Sequence, residues 1–147
     1  MPERRRLAFG RIAEIMPEVE RLIAGHATVG RWSLGAICDH LARAVVLALD
    51  SAPADAPATR EQAVYRRLFF RAGAFPEGQT PPIPALFPDP DADPIIAAGS
   101  LRKALDRLDG HASPFAAHPV IGPLTREEWL LFHSRHAAHH LSFAVPR

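Results

Sequence analysis

Eight histidines occur in the 147-residue chain, four of them between Phe132 and Leu141. On an α-helix each residue advances by about 100°, so His136 and His140 lie about 40° apart and His133 about 20° beyond His140. All three share a face with Trp129 and Phe143, which marks it as the buried face; Glu127, Ser134 and Ala138 point the other way, and His139 sits at the edge. Burying several imidazoles among aromatics costs free energy unless their nitrogens find partners, and a divalent metal satisfies two or three at once. An ion inside a helical bundle needs a ligand from a facing helix. His40 supplies one, because it interrupts an apolar stripe of Ala36, Ile37, Ala44 and Leu47, while Asp39, Arg43 and Asp50 lie opposite or at its edges. The expected site is His40, His136 and His140 around a divalent ion (Zn, Ni, Fe or Mn), with positions left open for water or substrate. His133 is the expected catalytic group beside it, as a supporting hydrogen-bond partner, a fourth ligand or a proton relay. The alternative is a set of core histidines bonded to carbonyls. Ala137 stands where an HExxH metalloprotease carries its catalytic Glu, so that chemistry is excluded.

Other reactive residues read less sharply. Cys38, the only cysteine, points about 160° away from His40 on the same helix and is expected to be a structural thiol. Tyr65, Arg67 and Arg71 would close a pocket, the two arginines one turn apart as an anion clamp, or else form an exposed basic face. His26, His111 and His118 fall in expected loops and are read as solvated. Arg4-Arg5-Arg6 is expected to be a frayed, solvated start.

These residues must be positioned by helices. Ile12, Ile15, Val19, Leu22 and Ile23 predict a first helix from about Arg11 to Ala24, bent or restarted at Pro17. Ser33 caps a second helix running to about Leu49. Thr59 with Gln62 forms a capping box that opens a short helix to about Ala72, ended by Gly73. Seven prolines from Phe75 to Pro94 predict an ordered polyproline-like crossing or a flap. Asp93 and Pro94 start a further helix with Ala98, Leu101, Leu105 and Leu108 as its stripe and Gly110 just past its end. After a loop from His111 to Leu124, the capping box of Thr125 and Glu128 opens the last helix, from Arg126 to about Phe143. Strand-like alternation is absent, so the expected fold is all-α, four main helices plus one short one in a single domain over residues 1–147.

Composition limits the function classes. The chain is 48% apolar and 22% charged, with 17 Lys+Arg against 16 Asp+Glu. A net charge of +1 gives no basic surplus for phosphate contacts, so nucleic acid is not an expected partner. A domain of this length is stable without a structural metal, so an ion would be there for function. One cysteine rules out an intrachain disulfide or a CxxC pair, which fits a cytoplasmic protein. No apolar run approaches the ~20 residues that cross a bilayer, and no signal-peptide core follows the first residues, so no membrane role is expected.

The run Trp32-Ser33-Leu34-Gly35 through Asp39-His40-Leu41, with His136-Ala137-Ala138-His139-His140-Leu141-Ser142-Phe143, resembles the DinB-like superfamily. The stretch Gly122-Pro123-Leu124-Thr125-Arg126-Glu127-Glu128-Trp129 and the ending Phe143-Ala144-Val145-Pro146 resemble one uncharacterised bacterial branch of it. The resemblance implies a four-helix bundle, often a homodimer, with a three-histidine divalent metal site that in some members serves thiol-dependent transferases or isomerases. His40, His136 and His140 match the metal positions. Many relatives carry an acidic residue and a Gly-Gln pair where this chain has Ala137 and Ser142-Phe143. The leading expectation is an enzyme that activates a low-molecular-weight thiol or a water for transfer to, or hydrolysis of, a small molecule. The alternatives are a non-catalytic metal-binding or stress-response protein and a dimeric interaction module.

Overall fold

The computed structural model describes residues 2–72, 83–112 and 114–147. Among them are five α-helices: α1 (Ile15–Ala24), α2 (Leu34–Asp50), α3 (Arg60–Ala72), α4 (Pro94–Gly110) and α5 (Arg126–Leu141). Four short strands accompany them, β1 (His26–Thr28), β2 (Ala117–His118), β3 (Gly122–Pro123) and β4 (Ala144–Pro146).

The helix starts follow the capping chemistry. Ser33 Oγ accepts the Ala36 N–H at 3.1 Å, and Asp93 Oδ1 accepts the N–H groups of Ile95 and Ile96 with Pro94 in the first helical position. Both capping boxes close: Gln62 N–H donates to Thr59 Oγ1 while Thr59 N–H donates to Gln62 Oε1, and Thr125 with Glu128 repeats the pattern. Pro17 neither bends nor restarts a helix. A 3₁₀ turn at Ile12–Glu14 leads into α1, which begins at Ile15, so Pro17 sits in the first turn, where its missing N–H removes no helical bond. Helix α4 includes Gly110, and α5 stops at Leu141, about two residues short of the expected end. Gly73 and the greater part of the proline-rich crossing lie outside the described residues.

Helix α2 lies along α4, and its other neighbours include α5 and the 3₁₀ turn Pro84–Leu86 at the described end of the crossing. The expected stripe of α4 (Ala98, Leu101, Leu105, Leu108) is buried in the same core cluster as Ile37, Leu41 and Val45 of α2. Gly35 is required at this junction, because a Cβ there would overlap the Ala92 carbonyl.

The expectation of an all-α chain is corrected by the strands. β1 pairs antiparallel with β4 (His26 with Pro146, Thr28 with Ala144), and β2 pairs with β3 around a tight turn ending at Gly122, whose φ is +80°. Pieces of two or three residues are too short to display the period-two alternation by which strands are read from sequence.

Two surface expectations are also corrected. Ser134 and Ala138 are buried, because α1 and the first 3₁₀ turn pack against α5 in addition to α2. The amino-terminal arginines are anchored. Arg4 donates from Nε to Ser142 Oγ and lies 4.1 Å over the Phe143 ring; Arg5 donates to the Ala144 carbonyl at 2.7 Å and pairs with Glu18. Arg4 and Arg6 remain exposed, and Arg6 shows no such contact among the described residues.

Candidate metal centre

The cap at Ser33 sets the phase of α2 so that His40, in its second turn, faces α5. The capping box at Thr125 does the same for α5, which presents His136 and His140 one turn apart near its carboxyl end. That end carries partial negative charge from its free carbonyls and favours a cation. His40 Nε2 and His140 Nε2 each stand 3.0 Å from His136 Nε2, and one nitrogen from each ring lies within 4.8 Å of the others. Metal–nitrogen bonds of about 2.0–2.1 Å imply nitrogens roughly 2.9 to 3.4 Å apart for bond angles between octahedral and tetrahedral. The three rings are therefore close enough together to hold a metal ion.

Protonation favours the same use. His40 Nδ1 faces the Leu86 carbonyl at 2.7 Å and must donate to it, which leaves the Nε2 lone pair directed at the other two rings. Burial, followed by the charges of neighbouring histidines, holds the His136 pKa well below its ordinary value. His140 is pushed down to about 2 by burial and then by His40, His139 and Arg4. Burial lowers His40 as well, against the opposing pull of the Leu86 carbonyl and Asp39. All three rings are neutral at physiological pH, the form in which an imidazole can ligate a metal. A single proton on His136 Nε2 can be aimed at only one neighbour, whereas a cation satisfies all three lone pairs.

The triad forms part of the wall of a cavity of about 470 Å³. Apolar side chains, among them Leu47, Ile83, Leu86 and Phe132, make up most of the lining, and no Arg, Lys, Asp or Glu contributes to it among the described residues. His133 lines the same cavity, stacked on Trp129 at 5.4 Å, with a buried Nε2 that has no hydrogen-bond partner among the described residues. Burial and then His118 push its pKa down to about 3. It stands beside the three converging rings without being one of them. His139 is half-buried, with Nδ1 3.0 Å from Arg4.

Other expected participants are elsewhere. Arg67 and Arg71 are exposed and line a separate groove with Val64 and Leu68, and Tyr65 is absent from the cavity wall, so the anion clamp gives way to an exposed basic face. Cys38 is wholly buried with its thiol pushed up to about 12, an inert structural thiol as expected.

Three features escaped sequence reasoning. Trp32 covers the triad, stacked on His140 at 5.2 Å and tilted on His40 at 4.8 Å. The Leu86 carbonyl is a backbone group and carries no side-chain signal. His118, expected to be solvated, is buried in the β2–β3 hairpin, and burial pushes its pKa down to about 4. The apolar pair Val120-Ile121 beside it was the one available hint that this loop folds inward.

No curated protein matches the chain, and no solved structure does. A family model described as a protein of unknown function, DUF1569, matches residues 1–147. Because that match spans every element that positions the triad, from the anchored amino terminus to β4, the chain belongs to the DUF1569 family.

Proposed function

We propose that this chain is a metal-dependent enzyme built as a DinB-like four-helix bundle, acting on a small molecule at His40, His136 and His140. The observation that carries the reading is the convergence of three neutral imidazole nitrogens at the wall of an apolar cavity. A closed structural ion would not need such a cavity, whereas a ligand exchanged during turnover does. A bound divalent ion (Zn, Ni, Fe or Mn) would lower the pKa of a low-molecular-weight thiol or a water and present the anion to an electrophile. The chain's own residues do the rest. The Leu86 carbonyl orients His40, Trp32 and the apolar walls exclude bulk water, and His133 holds or passes a proton at its unpartnered Nε2. A small-molecule substrate and, through the resemblance, a homodimer in the cytoplasm belong to the same reading.

Metal analysis of untagged protein tests it. Wild type is expected to carry about one divalent ion per chain, lost in both His40→Ala and His136→Ala. Bound metal without thiol- or water-dependent turnover of any small electrophile would leave a non-catalytic metal-binding protein. A wild type that takes up no metal even after reloading would overturn the proposal in favour of an interaction module.

A further inference from the structure

The β2–β3 hairpin brings a further histidine to the cavity. His118 is 8% exposed, lies 4.6 Å from the Phe132 ring and 5.8 Å from Trp129, and lines the cavity with His133 and the triad. Its Nδ1 accepts the backbone N–H of Val120 at 3.0 Å and that of Ile121 at 3.3 Å. Two donors on Nδ1 place the imidazole proton on Nε2. Nε2 is the ring nitrogen that the turn does not use, on a residue that lines the cavity. The hairpin thus locks one tautomer and leaves one N–H donor of a cavity-lining residue unused by the turn.

We infer that His118 is a ligand anchor, its Nε2–H donating a hydrogen bond to an acceptor oxygen of a small, uncharged, largely apolar carbonyl compound held beside the triad. Burial keeps the ring neutral, so the anchor is a dipole and not a charge. The lining has no described ionic side chain, and an unpaired ionic group in this chamber would lose its hydration without compensation. A neutral donor among largely apolar walls suits an aromatic or branched ketone, ester or amide, with its oxygen toward His118 and its body against Phe132 and Leu47. The inference deepens the reading above by naming the ligand class and rests on it only through the shared cavity.

The two ring nitrogens can be tested separately. Asn Oδ1 is the same number of bonds from Cβ as His Nδ1, and Gln Nε2 the same as His Nε2. His118→Asn therefore keeps the acceptor for the turn and withdraws the cavity donor, while His118→Gln does the reverse. Full-length protein labelled with ¹⁵N-histidine would be titrated with acetophenone and, as a control of similar shape without an acceptor, isopropylbenzene, with metal content measured on the same samples. The wild type is expected to show the Nε2–H tautomer at His118, a shift of that resonance with acetophenone alone, and about tenfold tighter binding of acetophenone. His118→Gln should retain the preference and His118→Asn should lose it, both with unchanged metal content. An Nδ1–H tautomer, equal binding of the two probes by wild type, or a preference that survives in His118→Asn would overturn the inference. Wild type that keeps the preference while lacking metal would sustain this inference and overturn the metal reading alone.

Discussion

At the scale of single residues, the site is built from histidines whose ordinary titration has been suppressed by burial. His118 shows the consequence for stability, because burial alone lowers its pKa, to about 4 from 6.5. Below pH 6.5 the unfolded chain takes up a proton there that the native chain refuses until near pH 4. Stability is therefore fully present above pH 6.5 and is lost as pH falls toward 4, by up to roughly 3 kcal/mol from this group. Urea unfolding at pH 7.5 and pH 5 measures it. His118→Asn should lose less stability over that interval than wild type, and equal losses would show that His118 does not contribute. Cys38 illustrates the opposite outcome of burial: a nucleophile by type becomes a packing residue by position.

At the scale of elements, each histidine of the triad sits on a helix opened by a side-chain cap. Ser33 sets α2 and the Thr125–Glu128 box sets α5, so both helix phases were legible from short polar patterns next to apolar periodicity. The junction of α2 with the chain leading into α4 was not. Gly35 has no local need for a glycine, being helical, and its role appears only where Ala92 crosses it. Gly35→Ala should push this crossing away and destabilise the protein by about 3 kcal/mol, in spite of alanine's better helix propensity. A thermal melt decides the sign, and a rise in Tm would show that the crossing yields easily. The crossing matters to the site as well, because its Pro84–Leu86 turn supplies the carbonyl that orients His40.

At the scale of the whole molecule, the two chain ends close over α5. The β1–β4 pairing holds the carboxyl terminus against the segment after α1, with Arg147 N–H donating to the Gly25 carbonyl at 2.9 Å. The amino-terminal segment crosses the same region through Arg5, which joins Glu18 of α1 to the Ala144 carbonyl of β4. Glu18 has only 11% of its side chain exposed, so removing Arg5 leaves a nearly buried carboxylate with the longer Arg21 contact at 3.7 Å in its place. Arg5→Ala should cost about 3 kcal/mol in chemical denaturation, and Arg5→Ala with Glu18→Gln should recover part of it. A double variant no more stable than the single one would show that the charge pairing is not what holds the ends.

Sequence by itself determined the helices, their caps and the histidine triad, because helical periodicity and capping are local and convert spacing directly into shared faces. It also determined that Cys38 and His40 lie on different sides of α2. Only the tertiary structure decided what covers each face. Ser134 and Ala138 read as solvated, and Arg4 and Arg5 as frayed, until α1 and the two ends pack around α5. His118 read as a loop histidine until a two-residue strand pairing turned it inward. In each case the deciding partner is a backbone group or a surface remote in the chain, and no local pattern records which remote surface will arrive.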